Sequence, residues 1–421
     1  MRMPVLLLRW LSLPVVAFSA DPPSTAAPAT EFEYPPVLDA ATILQSEYFQ
    51  GPHHIVRAQV PTYAGRNAYT IDSAFGIFSA QGNAELVTRV AEIHAMFQLQ
   101  RISKTEEYGK ALEKAAKSPL VFAKSLATNP VDTLAGVPKG IFKFINRTGE
   151  AVKEASEGRD TSPYEDSKVQ SAIGFSKAKR GLAARLGVDP YSSNPAFQKA
   201  LNGVAWAAYG GDITFTAALA PVGGSAGSVI TGVQVSDTAL NAVRDSSPND
   251  LRRANEQTLF QMGAAEASIK VFLNNPAYSP TRQTELVHAL KQLNGAAGRG
   301  DFLEVASHAS DEDDAFFYQR SAHLMAVLHQ TTPIATLYNS RDLPVCHAKD
   351  GTVIVPLEWD YACWTEGASG FVEHLRTADY RGAPVTGHRL VITGVASPRL
   401  REELAKHQIS LVEKALPTPL R

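Results

Sequence analysis

The sequence predicts an α+β protein. Three observations support this class: strand-like residues near the N-terminus, a long and mostly helical middle, and a last part in which short strands alternate with helices. The chain has 421 residues, of which 44% are hydrophobic and 19% are charged, which is ordinary globular composition with enough apolar residues for a core. We expect folded regions at 39–102, 103–330 and 331–421.

Residues 1–19 have the pattern of a secretory signal peptide. Arg2 and Arg9 give a positive start, a short apolar stretch follows, and small residues occupy the −3 and −1 positions of a cleavage site. This segment is shorter than a membrane-spanning helix. We therefore expect cleavage between Ser19 and Ala20 and a periplasmic or secreted protein.

The next stretch predicts a linker and then a small β-element. Residues 20–38 are rich in Pro and Ala and predict a disordered linker. Apolar residues between 53 and 79 flank a turn at 63–67, which predicts a hairpin or a three-stranded piece. Asn83 is a predicted N-cap, and the apolar spacing after it predicts an amphipathic helix to about residue 102.

The middle region, 103–330, predicts a helical domain interrupted by Pro and Gly. Ser279-Pro280 and Asp311 are good helix starts. The acids at 311–314 could form a metal cluster, but a helix N-terminus is the better interpretation, because acids there interact favourably with the macrodipole. The clearest predicted helices are 165–187, 196–209, 250–274, 280–294 and 311–329.

The last region, 331–421, predicts a small α/β domain. Two strands flank Asp350-Gly351, a strong hairpin signal. The rest alternates between helix and strand, which indicates a βαβ-like closing unit. In order, we predict strands at 343–347 and 352–357, a helix at 367–378, a strand at 389–394, a helix to about 406 and a strand at 409–413.

The chain has two cysteines, Cys346 and Cys363. In an oxidising compartment a pair of cysteines predicts one disulfide. The alternative is a metal site formed by both cysteines and His347, but it lacks a C-x₂-C pair and a clear fourth ligand. We expect the disulfide, with no metal and no other cofactor.

A basic stretch at 114–147 is the strongest local anomaly. It has six cations and a single acid, Asp132, with apolar residues between the charges. Short helices with one apolar and one basic face lie on anionic membrane surfaces. Alternatively, the apolar residues pack on the helical domain while the cations face water. The cations are Lys114, Lys117, Lys124, Lys139, Lys143 and Arg147.

Residues 213–236 form an uncharged run of 24 residues. Its length would span a membrane, but Pro221 and four glycines dilute its hydrophobicity, so we favour a buried helical hairpin over membrane insertion. The run contains a G-x-S-x-G motif centred on Ser225, the pattern of a hydrolase nucleophile elbow. Helices are predicted before it, although a hydrolase sheet would need strands there.

Glu358 and Asp360 are the remaining catalytic candidates. On a strand they share one face, about 7 Å apart. That separation falls within the range used by inverting glycosidases. Alternating acids and aromatics are also typical of a half-buried strand, here beside the predicted disulfide.

Several segments resemble an uncharacterised family of exported proteobacterial proteins. They are 128–140, 189–191 together with 204–211, and 393–398. The resemblance covers most of the chain after the signal peptide. It implies a bacterial, exported origin and brings no activity, ligand or catalytic residue with it.

The formal net charge of −2 gives no overall field for nucleic acid. We therefore predict an exported, non-catalytic envelope-associated or binding protein whose contact surface is 114–147. Its predicted partner is an anionic membrane surface or another envelope protein. The alternative is an exported hydrolase acting on a cell-wall or ester substrate, with Ser225 or the Glu358/Asp360 pair at its centre.

Overall fold

The computed structural model describes residues 31–104, 174–211, 237–340 and 343–421. The predicted α+β class is confirmed, since an N-terminal antiparallel sheet, a helical middle and a mixed C-terminal sheet follow one another along the chain. The predicted signal peptide, the basic stretch at 114–147 and Ser225 lie outside the described residues. Elements are numbered below along the described ranges.

The N-terminal unit is an antiparallel sheet covered by helices. The strand order is β1-β4-β5-β3-β2, with β6 on the other side of β5. The predicted turn is confirmed: Ala64 and Gly65, with φ of 48° and 80°, connect β4 to β5. The elements are β1 (Val37–Asp39), α1 (Ala40–Ile43), α2 (Ser46–Phe49), β2 (Gln50–Gly51), β3 (His54–Val56), β4 (Gln59–Tyr63), β5 (Arg66–Ser73), β6 (Gly76–Gln81) and α3 (Asn83–Ser103).

Two further helices complete the core of this unit. They are α4 (Phe175–Leu186) and α5 (Pro195–Gly211), and α5 packs on both α4 and α3. Leu86 and Ile93 of α3, Phe197 and Leu201 of α5 and Ile71 of β5 are completely buried in one cluster. The apolar spacing predicted for α3 therefore marks its buried face.

The start of α3 differs from the prediction. Gly82, with φ of 101°, precedes the helix, and Asn83 is its first helical residue instead of its N-cap. The cap comes from a distant part of the chain, because the Oδ1 atom of Asp360 accepts a hydrogen bond from the Asn83 backbone N–H at 3.1 Å. A carboxylate at a helix N-terminus satisfies a free N–H and interacts well with the macrodipole.

The helical unit contains six described helices. The predicted helix at 250–274 is two helices, because Gly263 adopts φ of 78° between them. The predicted starts are confirmed: Ser279 accepts from the Arg282 N–H at 3.2 Å, and Asp311 accepts from the Asp314 N–H at 2.9 Å. The helices are α6 (Asp237–Asp245), α7 (Pro248–Gln261), α8 (Glu266–Asn274), α9 (Pro280–Gln292), α10 (Arg299–Ala306) and α11 (Glu312–Thr331).

The C-terminal sheet has the order β13-β11-β9-β8-β7. Its strands β9, β11 and β13 are parallel, whereas β7, β8 and β9 form an antiparallel meander. The predicted hairpin is confirmed, with Gly351 at φ of 87°. The elements are β7 (Ile334–Ser340), β8 (Leu343–Ala348), β9 (Thr352–Leu357), β10 (Tyr361–Ala362), α12 (Glu366–Thr377), β11 (Gly387–Ile392), β12 (Val395–Ala396), α13 (Pro398–Lys406) and β13 (Ile409–Val412).

Helices cover both faces of this sheet. Val353 and Val355 point to the face covered by α12 and α13, whereas Ile354 between them points to the helical unit. The strand β9 is therefore an uninterrupted apolar run with buried side chains on both faces, as expected for a central strand.

The last part of the predicted linker is bound to the C-terminal domain. The Glu33 carboxylate accepts hydrogen bonds from the Trp364 N–H and the Ser397 hydroxyl, both at 2.6 Å. Phe32 packs against the same apolar cluster, and β1 begins at Val37. The prediction of a disordered linker is thus wrong for 31–38.

The C-terminus returns to the N-terminal unit. The Gln45 side-chain amide donates to the carbonyls of Thr418 and Leu420 at 3.1 and 3.0 Å. The Arg421 N–H donates to the Ile43 carbonyl at 2.9 Å, and Leu420 is buried in the N-terminal core. The last residues are therefore part of the first unit as well as of the last.

Candidate functional site

The predicted disulfide is not formed, and both cysteines are free. Cys346 on β8 is completely buried with Ile354 on the face that meets the helical unit. Cys363 follows β10 between Ala362 and Trp364, which belong to the cluster on the other face. The prediction of a disulfide is therefore wrong. Burial raises the pKa of both thiols, and it raises that of Cys363 to about 11.

The alternative metal site at the cysteines is not formed either. Among the described residues, no group of three or more His, Cys, Asp or Glu side chains is placed to bind a metal ion. His347 instead makes a hydrogen bond with the Pro384 carbonyl, at 3.0 Å from its Nε2 atom.

Glu358 and Asp360 do not form an exposed acid–base pair. They are only 6% and 1% exposed. The strand β9 ends at Leu357, so the strand alternation that would align the two acids stops before them. Glu358 turns towards Arg320 of α11, with 3.3 Å between its Oε1 atom and Nε. The predicted glycosidase arrangement is therefore wrong.

Asp360 joins the C-terminal sheet to the N-terminal unit. Its carboxylate accepts from the backbone N–H groups of Asn67, at 2.9 Å, and Asn83, at 3.1 Å. Its own N–H donates to the Gly65 carbonyl at 2.7 Å. Burial, together with the nearby charge of Glu358, raises the pKa of Asp360 to about 7.

The turn between β4 and β5 covers the carboxyl end of β9. Open sheets of this type usually bind ligands at the carboxyl ends of their parallel strands. Here Trp359 packs against Gly65, where a Cβ atom would lie only 2.6 Å from the indole ring. The usual ligand position is thus occupied by the protein's own backbone.

A group of buried and partly buried charged and polar side chains, which we call the charged seam, lies between α3 and the helical unit. Arg89 of α3 is at its centre, 2.9 Å from Glu85 and 2.8 Å from Glu92. Glu92 also accepts a hydrogen bond from the Asn194 side-chain amide at 2.7 Å. The seam comprises Glu85, Arg89, Glu92, Asp189, Asn194, Arg282, Glu285 and Glu312.

Across the seam, Arg282 of α9 pairs with Glu312 of α11 at 2.8 Å. The Ser193 hydroxyl donates to the same carboxylate at 2.6 Å. Burial acts to raise the pKa of Glu312, but the neighbouring Arg282 and Arg89 and the Ser193 hydroxyl together lower it below its usual value. Glu312 therefore stays ionised and holds α11 to α9.

Glu285 behaves in the opposite way. Burial and the neighbouring charge of Asp189 raise the pKa of Glu285 to about 8, although Arg282 and Arg320 oppose the shift. Asp189 itself accepts from the Thr281 hydroxyl at 2.6 Å and from the Tyr191 N–H at 2.9 Å. The two acids therefore differ in their surroundings: burial raises the pKa of Asp189 too, but two hydrogen-bond donors oppose the shift, whereas burial and Asp189 favour the protonated form of Glu285.

Sequence analysis did not predict the charged seam. The spacing of Glu85, Arg89 and Glu92 is the pattern of helical ion pairs and was the available signal. Such pairs are usually exposed, and only the packing of 189–194 against α3 buries these.

The start of α4 and the end of α5 meet at a group of aromatic residues, the aromatic corner, formed by Phe175, Trp206 and Tyr209. The rings of Phe175 and Trp206 stack with centroids 4.2 Å apart, and Tyr209 lies edge-on to Trp206 at 6.3 Å. Tyr209 is 40% exposed. A Cβ atom on Gly174 would lie 3.7 Å from the Tyr209 ring, so the ends of the two helices are adjacent.

No family model, curated protein or solved structure matches this chain. Within the described ranges, none of the helices has the combination of length and apolar composition needed to cross a bilayer. Of the predicted catalytic residues, Glu358 and Asp360 are bound by the protein itself, and Ser225 lies outside the described residues.

Proposed function

We propose that the protein is an exported, non-catalytic, envelope-associated protein that binds anionic membrane surfaces through 114–147. The supporting observation is the aromatic corner. The segment 105–173 joins α4 at this corner, and the segment 212–236 begins there, directly after α5.

The two segments have complementary chemistry for a lipid surface. Within the first, the stretch 114–147 supplies six cations against one acid, and each cation contributes about 1 kcal/mol to binding near anionic headgroups. The second supplies an uncharged, partly apolar run. Trp and Tyr, the residues exposed or partly exposed at the corner, favour the boundary between headgroups and acyl chains. Along the chain, both segments adjoin the helix ends that form the aromatic corner.

Vesicle binding tests the proposal. The purified protein should co-sediment with phosphatidylcholine vesicles that contain phosphatidylglycerol and not with phosphatidylcholine alone. The variant K117E/K124E/K139E/K143E should lose at least about tenfold in partitioning, since four attractive cations become repulsive.

The matched control is K199E/K270E/K291E/K349E, which changes the net charge by the same amount at exposed lysines of the described surface. It should keep most of the binding. Equal losses in both variants, or no binding by the unmodified protein, would reject the proposal.

Trp206 reports whether the corner reaches the lipid. Brominated acyl chains should quench its fluorescence in vesicles, and the W206F variant should lose the quenched component while still binding. Quenching that persists in W206F would place one of the other tryptophans at the lipid and contradict the assignment to this corner.

A further inference from the structure

Three histidines converge between the hairpin β2–β3 and helix α3. His53 and His54 come from the hairpin, and His94 comes from α3. The His94 ring centroid lies 5.3 Å from that of His53 and 6.2 Å from that of His54. His53 also stacks on Phe97 of α3 with centroids 3.7 Å apart.

His54 is the buried member, only 4% exposed. Its Nε2 atom is 3.3 Å from the Tyr48 carbonyl, whereas its Nδ1 atom is buried and has no hydrogen-bond partner. A Cβ atom on Gly51 would meet this ring at 2.6 Å, so the hairpin fits closely around it. A buried imidazole with one unpaired nitrogen is stable when neutral and costly when charged.

Among the residues that the structure describes, no carboxylate is positioned to stabilise a charge on His54. Helix α2 presents backbone carbonyls of Glu47 and Tyr48, and β5 places the uncharged Ser73 opposite His54. Asp72, the next acid on β5, is already paired with Arg57 at 2.9 Å. The electrostatic partners of His54 among the described side chains are the other two histidines.

We propose that His53, His54 and His94 form an acid-sensitive clasp. In the neutral state the three imidazoles pack the hairpin β2–β3 against α3. When protons from solvent bind the imidazoles, the charged rings repel one another and become exposed to water. The hairpin then separates from α3 while the rest of the fold persists.

The direction of the proton linkage agrees with this geometry. Burial lowers the pKa of all three histidines, and their mutual repulsion lowers those of His54 and His94 further. A group whose pKa is lower in the closed state binds its proton more tightly in the open state. Acidification below about pH 6.5 therefore favours the open hairpin.

Amide hydrogen exchange measured by mass spectrometry tests the clasp. The exchange rates of residues 46–56 are first corrected for the intrinsic pH dependence of amide exchange. As the pH is lowered from about 6 to 5, the corrected rates should then rise about tenfold if opening takes up one proton. The variant His94→Phe keeps an aromatic ring but cannot be charged, so its acceleration should be clearly smaller.

His288→Gln is the matched control. Burial also lowers the pKa of His288, but it lies on α9, away from the clasp. This variant should keep the full pH dependence at 46–56. Equal acceleration in His94→Phe and the unmodified protein would overturn the proposal, as would acceleration spread evenly over all elements.

A second measurement needs no variant. Histidine side-chain NMR of the unmodified protein should show three rings that titrate below pH 6.5 together with the amide signals of β2 and β3. Ordinary titration midpoints with unchanged hairpin signals would equally overturn the clasp.

Discussion

At the residue scale, the main lesson concerns Asp360. From the sequence it had the features of a catalytic acid, because another acid is two residues away and aromatics flank both. In the structure its carboxylate accepts two backbone N–H groups from elements almost 300 residues away in sequence. Its elevated pKa, which often marks active sites, here results from burial in a structural joint.

Replacing Asp360 by Ala should lower the free energy of unfolding by about 2–4 kcal/mol, since two buried donors lose their acceptor. Urea titration followed by circular dichroism measures the change. Asp72→Ala is the control, because it also removes a carboxylate that accepts two hydrogen bonds, but at an exposed ion pair. Equal destabilisation by both variants would contradict the role assigned to Asp360.

Glu285 gives a pH-dependent prediction. Its pKa is raised from 4.5 to about 8 in the folded protein, so its contribution to stability falls as the pH rises from about 4.5 to 8. Gln cannot ionise. Glu285→Gln should therefore match the unmodified protein near pH 4.5 and exceed its stability by about 1–2 kcal/mol at pH 8, given the partial exposure of the side chain.

Glu312→Gln should show the opposite sign. The folded protein lowers the pKa of Glu312, so ionised Glu312 stabilises the fold above its ordinary pKa. The variant should lose stability at pH 8 and approach the unmodified protein in acid. Parallel pH profiles for both variants would refute the different roles assigned to these acids.

At the element scale, helix caps formed by neighbouring residues could be predicted from the sequence, whereas a cap formed by a distant residue could not. Ser279 and Asp311 cap their helices through residues three positions away, so the sequence contains the whole interaction. The cap of α3 comes from Asp360, and no local pattern contains it. Strand β7 was not predicted from the sequence for a related reason. It is recognised by its antiparallel pairing with β8, whereas its own residues give only a weak strand pattern.

Two glycines allow a test of how closely the segment before α10 approaches strand β7. Gly298 and Gly295 both adopt positive φ, at 78° and 83°. An added Cβ atom would lie 2.2 Å from the Leu337 carbonyl oxygen at Gly298 but in open space at Gly295. Gly295→Ala should cost about 1 kcal/mol from the backbone conformation alone, whereas Gly298→Ala should cost at least about 2 kcal/mol, because β7 must also shift.

Thermal unfolding of the two variants measures this difference. Similar losses of stability would mean that backbone conformation alone determines the cost of both substitutions. The close approach of Gly298 to β7 would then contribute nothing to the cost.

At the scale of the whole molecule, the sequence predicted the fold class but not that α4 and α5, expected in the helical domain, pack into the N-terminal core, nor how distant parts of the chain are joined. The charged seam, the Asp360 joint and the bound residues 31–38 all depend on contacts between distant parts of the chain. The disulfide prediction failed in the same way, since cysteine spacing does not reveal that Cys346 is buried against the helical unit while the neighbours of Cys363 pack on the other face of the sheet.

Thiol titration tests this arrangement. The unreduced, denatured protein should contain two free thiols. In the native state Cys346 should be unreactive, and Cys363 should react slowly because burial and Glu33 raise its pKa to about 11. Absence of free thiols in denaturant would establish a disulfide and require the sheet to be arranged differently.

The contact of Leu420 and Arg421 with 43–45 affects the order in which the molecule can be synthesised and folded. The first unit lacks part of its core until residues 418–421 have been synthesised and have left the ribosome. Until then a nascent polypeptide retains an incompletely closed first domain, so the closure of this domain is one of the last steps of folding during synthesis.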